Sequence, residues 1–318
     1  MKKIKYLSVA FYIIATIGAK AQTMTYNTEK DESNKPNLMA NISVLDFNLG
    51  QPTLSLGAGA DADLYMGRFS AEANFHFTYW DGKKSIIIGT NESLNKLKNY
   101  SSFRLGGRFH FVDRKGTHTM KAILSTDYVA GGTVTHYLPM EVPCRSIVAL
   151  HFGIEHYNTV VKGKRGATIP GRLSVGPSVV ASDGTQISEW GSGTNLNVFM
   201  LYGGLSFVKI LKTTMTSGGD RWNFKWYRHA YIDFLYAPVV SVQNIMLGTN
   251  TYIVQGAGTS GFGKSAMGAR FGMNVLSGKS MSIRYEIGIL PGLAGRGLFT
   301  TASFGIPLIK QIKLKKMQ

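Results

Sequence analysis

The run Phe69-Ser-Ala-Glu-Ala-Asn-Phe-His-Phe-Thr-Tyr-Trp80, resumed at Phe103-Arg-Leu-Gly-Gly-Arg-Phe-His-Phe111, decides the fold. In an extended chain Phe69, Ala71, Ala73, Phe75, Phe77 and Tyr79 share one side, and Ser70, Glu72, Asn74, His76 and Thr78 the other. The second half keeps the rule, with Phe103, Leu105, Gly107, Phe109 and Phe111 opposed to Arg104, Arg108 and His110. A soluble sheet turns such an apolar face to a core. A membrane barrel turns it to lipid and the polar face to its lumen.

The start of the chain speaks for export. Lys2, Lys3 and Lys5 precede a mostly apolar run, Tyr6 to Ile17, and Ala19-Lys20-Ala21 places small residues where a signal peptidase reads, before Gln22. The expected organisation is a signal peptide at 1–21, a flexible lead-in at 22–40, one barrel at 41–306 and a basic tail at 307–318. Loss of the signal's four lysines takes the net charge from +17 to +13. In an exported chain without a basic helix, that balance fits anionic headgroups or an anionic solute better than nucleic acid. Cys144 is the only cysteine and has no internal disulfide partner; it reads as a loop residue between Pro143 and Arg145.

No segment offers the ~20 continuous apolar residues of a membrane helix. Mean hydropathy is −0.01, and a barrel hides its apolar surface in every second residue. Strand patterns fall near 41–48, 53–65, 68–80, 101–113, 117–129, 146–160, 172–181, 195–208, 226–240, 262–276, 280–290 and 297–306. Tight turns are expected at Gly67, at Arg114-Lys115-Gly116 and at Ser277-Gly278-Lys279-Ser280, with long connections at 81–100, 130–145, 182–194 and 241–261. Short and long connections alternate, as in an outer-membrane barrel, with 209–225 long for a turn and 161–171 only moderately short. The expectation is all-β: a single up-and-down antiparallel transmembrane barrel of about twelve strands, within 10–14.

Carrying the alternation through gives candidate lumen residues Glu72, His76, Arg104, Arg108, His110, Lys121, Asp127, Glu155, His229, Asp233, Arg270, Arg284 and Glu286, with His151 beside them. Glu72 with Arg104 or Arg108, and Arg284 with Glu286, read either as neutralising ladders or as a cationic filter for anions. His76 and His110 read as possible cross-strand neighbours, without the partners a metal site needs. Neither metal nor cofactor is expected. Gly256 to Ser265 is rich in glycine like a phosphate loop, but alternating apolar residues continue it as a strand with no helix signalled, so ATP binding is not expected. Without a Gly-x-Ser-x-Gly elbow, an enzyme is not expected either.

The signal end Ala19-Lys-Ala-Gln22, the run Phe69–Phe111 and the Gly-aromatic strands resemble outer-membrane β-barrel proteins of the Bacteroidota. A PorP/SprF-type barrel of the type IX secretion system is similar in length, but its glutamine- and aromatic-rich start is absent after Gln22. The last strand pattern also departs from many such barrels, being followed by Pro307 and Lys310-Gln-Ile-Lys-Leu-Lys-Lys316 instead of ending on an aromatic residue. The resemblance implies residence in the outer membrane, in contact with its lipid. Two functions follow: a porin-like channel or binding barrel for a small solute, an anion first; or a non-conducting assembly barrel whose loops or basic tail meet an envelope protein. A secreted soluble β-sandwich is the third class.

Overall fold

The computed structural model describes residues 37–50, 53–81, 96–129, 131–162, 179–181, 186–187, 193–217, 220–247, 250–254, 266–277, 281–291 and 298–311. The strands in chain order are β1 (Asn37–Gly50), β2 (Thr53–Met66), β3 (Phe69–Asp81), β4 (Ser101–Val129), β5 (Gly132–Lys162), β6 (Val179–Ala181), β7 (Gln186–Ile187), β8 (Gly193–Ser217), β9 (Asp220–Val242), β10 (Ile245–Leu247), β11 (Asn250–Val254), β12 (Met267–Ser277), β13 (Met281–Ile289) and β14 (Leu298–Gln311). Ten of them close an antiparallel barrel in which sequence neighbours pair, β1 against β2 on one side and β14 on the other. β6, β7, β10 and β11 form a separate small sheet from the two longest connections.

The expected architecture is present with ten strands rather than twelve. Residues 117–129 do not form a strand of their own but prolong β4, because Gly116 stays in the ladder opposite Cys144 of β5. The turn expected at Arg114-Lys115-Gly116 is therefore strand, and the hairpin reverses at residues 130–131. The loop expected at 130–145 is likewise the first half of β5. Cys144 is buried there with Val142 and Leu211, against Met120 and Trp226. Of the strand expected at 172–181, Val179–Ala181 pairs in the small sheet, outside the barrel wall. The barrel also runs from Asn37 to Gln311, beyond 41–306 at both ends; the expected signal at 1–21, the expected lead-in up to residue 36 and residues 312–318 lie outside the described residues.

One end of the barrel holds the short connections: Gly67-Arg68, residues 130–131, 218–219 and 278–280. Gly67 takes φ 58, where a side chain would be strained. The other end holds 82–100, 163–192, 243–266 and 290–297, with residues 51–52 the one short link there. The turn end and the loop end are thus distinct, and β1 starts and β14 finishes at the turn end.

Alternation sorts the wall by chemistry. Phe75, Phe103, Phe152, Phe207, Ile232 and Phe234 point outward and exposed, with Phe234 at 74 %. Their strand neighbours Glu72, Arg104, His151, Asp233 and Arg270 point inward and are buried, Asp233 at 0 % and Arg270 at 2 %. A bulge between Ser43 and Leu45 of β1 moves Asp46 to the inside.

Candidate functional site

The interior holds two apolar clusters and a network of charged side chains. At the turn end Met39, Ile147, Ala149, Val208, Ile210 and Leu276 pack with Tyr65 and Tyr227. At the loop end Leu196, Val198, Met200 and Leu235 pack with Tyr157 and Tyr202. Tyr157 Oη donates to the Pro291 carbonyl at 2.8 Å, and Leu97 packs on Val160, tying residues of two loop-end connections to the rim. On β5 and β9 the charged residues lie between these clusters: His151 and Glu155 between Ala149 and Tyr157, and Asp233 between Tyr227 and Leu235.

They form one continuous chain of contacts. Asp46 meets His76 Nδ1 at 2.7 Å, and His76 Nε2 meets Asp61 at 3.1 Å. Asp61 pairs with Arg284, whose Nη2 donates to Glu286 at 2.8 Å. Arg104 bridges Glu286 (2.8 Å) and Glu155 (2.9 Å). Arg270 bridges Glu155 and Asp233, donating from Nη2 to the latter at 2.8 Å. His151 links Asp233 (2.7 Å) to Glu72 (2.8 Å), and Arg108 joins Glu72 to Asp63 (2.7 Å). Each arginine therefore faces two carboxylates. Burial this deep is sustained only when ions are paired and hydrogen-bonded throughout.

Tyrosines close the remaining space. Tyr202 Oη donates to Glu72 at 2.6 Å, Tyr231 donates to Glu286, and Tyr65 and Tyr227 share a 2.7 Å hydrogen bond beside Arg108 and Asp63. The Arg270 guanidinium sits 4.7 Å from the Tyr202 ring centroid. These rings fit because inward positions opposite them are glycine: a Cβ on Gly106 would run into Tyr202 Oη, and one on Gly272 into the Tyr231 ring.

Of the candidates read from sequence, Glu72, His76, Arg104, Arg108, Glu155, Asp233, Arg270, Arg284 and Glu286 belong to this network. His229 lies at its edge, its Nδ1 3.5 Å from Arg108. His110 is inward but apart, against Ser70 Oγ and the Gly67 carbonyl at the turn end, both at 3.1 Å. It is not a neighbour of His76, which pairs in register with Ser102. Lys121 and Asp127 are not lumen residues. Both are exposed on the β4–β5 ribbon beyond the barrel, with Lys121 Nζ 4.3 Å from the Tyr137 ring, because 117–129 prolongs β4.

Asp46, Asp61, Asp63 and the inward tyrosines were not among the candidates. For Asp61 and Asp63 the signal is the alternation Ala60-Asp-Ala-Asp-Leu-Tyr65, which places both inside with Tyr65. For Asp46 the bulge hides it. Their presence removes the cationic filter: Arg104, Arg108, Arg270 and Arg284 face Asp46, Asp61, Asp63, Glu72, Glu155, Asp233 and Glu286. His76 and His151 each meet carboxylates through both ring nitrogens, and Arg284 Nη1 also lies 3.0 Å from His76 Nε2. Even counting both as cations, the network is not net positive. Among the described residues, no group of His, Cys, Asp and Glu has the arrangement of a metal site. After the Gly256–Ser265 run, itself outside the described residues, the chain enters β12 rather than a helix, so a phosphate loop's helix N-terminus is lacking there.

At the turn end Arg145 donates to Asp113 from Nε (2.9 Å) and Nη2 (2.7 Å). This fork holds the Asp113 carboxyl below its usual range against a smaller opposing effect of burial.

No protein-family model and no curated protein matches this chain. Among solved structures, the chain is similar to in-vitro folded OmpT, an outer membrane protein of Vibrio cholerae, at 9% identity over 92% of this chain and 99% of that one, with a TM-score of 0.19. A loop L8 deletion mutant of the same protein matches at 10% identity over 90% and 99%, with a TM-score of 0.16. Likeness at these scores carries no weight for this chain, whose barrel stands on its own strand pairing.

Proposed function

We propose that this protein is a non-conducting outer-membrane barrel: a membrane anchor whose lumen is its structural core and whose working surfaces lie at its two ends. The observation that carries the reading is the buried interior, an ion-pair network with an apolar cluster toward each end. A solute path through it would have to separate buried ion pairs and displace Tyr202 and Tyr231. Residence in a membrane is supported by the outer face, whose exposed phenylalanines, leucines and isoleucines would make an unusually large apolar patch in water. The export signal, the turn-end termini and the resemblance to Bacteroidota barrels favour the outer membrane, with the turn end in the periplasm. The role is structural or assembly-related, not catalytic, and an envelope protein is the partner class.

Liposome swelling tests it. Vesicles carrying the folded protein should swell in isotonic solutions of small sugars, amino acids or organic anions no faster than protein-free vesicles. Swelling that scales with protein content and falls with solute size would replace this reading with the channel.

A further inference from the structure

The outer face of the barrel changes chemistry near the turn end. Two successive cross-strand rows of β4, β5, β8, β9 and β12 are apolar: Phe109, Leu150, Leu205, Ile232 and Phe271, then Val112, Val148, Phe207, Ala230 and Met273. The next row toward the turn end reads Arg114, Ser146, Lys209, Arg228 and Val275. The change from apolar to basic takes one two-residue step on β4, β8 and β9 at once.

We propose that Arg114, Lys209 and Arg228 form a binding row for the phosphate of an anionic phospholipid, in the leaflet that meets the turn end. Lys209 and Arg228 are directly opposed in register on adjacent strands, about 5 Å apart across the ladder, where like charges repel. Among the described residues no carboxylate shares the outer face of this row or its neighbouring rows. An anion between the two cations would relieve that repulsion. Lys209 Nζ lies 3.2 Å from His118 Nδ1, which holds the ammonium on this face, and Ser146 is an exposed hydroxyl between Arg114 and Lys209.

Lipid is favoured over a free anion because the row borders the apolar belt: a phosphate seated on it leaves acyl chains along Phe207 and Val148. On the strands that flank the row, Met66, Phe69 and Met281 are exposed at the turn-end margin. This inference rests on the membrane reading above.

Native mass spectrometry of the folded full-length protein, offered equimolar phosphatidylglycerol and phosphatidylcholine of the same chain length, tests it. Each basic group near such a surface is worth about a fivefold preference, so phosphatidylglycerol should be retained preferentially. R228Q should lower the preference about fivefold, and R114Q/K209Q/R228Q should bring it close to unity. R68Q removes the same charge from an exposed turn outside the row and should leave it unchanged. Inorganic phosphate at millimolar concentration should not displace the lipid.

Equal retention of the two lipids by the wild type would overturn the proposal without needing any variant. So would a preference that survives R228Q or falls equally with R68Q, or displacement by inorganic phosphate, which would mark a free-anion site. The membrane reading fails separately, if the wild type does not fold into vesicles of either lipid, as judged by heat-modifiable gel mobility.

Discussion

β13 has 9 residues and β5 has 31, yet both cross the same barrel. About 9–11 tilted residues suffice to span a bilayer, so β13 and β12 end close to where the hydrocarbon would. β4, β5, β8 and β9 run on past the turn end as two hairpins, and β3 follows β4 only as far as Phe109. In the short strands outward residues stay apolar to the margin, and inward ones serve the core. The long strands cross a boundary, marked outside by Arg114, Lys209 and Arg228 and inside by the Asp113–Arg145 pair. Strand length in this barrel therefore separates what forms the closed wall from what projects beyond it.

The largest effect is expected inside the shared wall. Arg270 joins β12 to Glu155 on long β5 and Asp233 on long β9, so R270L would leave buried Glu155 with Arg104 alone and buried Asp233 with His151 alone. A loss of about 3–5 kcal/mol is expected in reversible urea unfolding from vesicles. A change below ~1 kcal/mol would mean that water already reaches the network. Adding one methyl group at Gly106, opposite Tyr202, should cost about 1–3 kcal/mol through overpacking in the same assay. A neutral G106A would point to a loosely filled lumen.

The projecting part should behave in the opposite way. Replacing residues 119–138 with a short turn removes much of the β4–β5 ribbon but no residue of the charged network. The barrel should retain its heat-modifiable fold, with stability within about 1 kcal/mol of wild type. Failure to insert would make the ribbon part of the folding core. The smallest effect belongs to Asp113, partly exposed at the boundary. Its carboxyl is held below the usual range by Arg145, so its stabilising contribution is full above the unfolded carboxylate's pKa and is lost as pH falls through the lower folded value. D113N should thus be less stable than wild type by about 0.5–1 kcal/mol at neutral pH, with the gap closing in acid. A gap independent of pH would assign the effect to packing.

Much of the barrel is legible in the chain because an apolar outer face over a polar interior imposes one rule on every residue of a wall strand. Phe75 against His76, and Phe234 against Asp233, are sorted correctly by parity alone. The rule gives no sign of where spanning stops. Thr117 to Val129 alternates as well as a membrane strand does, so Lys121 and Asp127 look like lumen residues although they lie on the ribbon. Nor does parity survive an inserted residue, which is why the β1 bulge conceals Asp46. Asp61 and Asp63 were within reach of the same alternation. They matter most, since they turn a row of arginines resembling an anion filter into a paired network. Their partners come from strands distant in sequence: Arg284 for Asp61 and Arg108 for Asp63.

Single-channel recording in planar bilayers puts the closed lumen to its most direct test, provided insertion is verified independently by protease protection. With wild-type protein in molar KCl, at both polarities, the current should stay at the bare-membrane baseline, without unitary steps. Stable, reproducible unitary currents carried by the purified protein would contradict the filled interior and restore the channel.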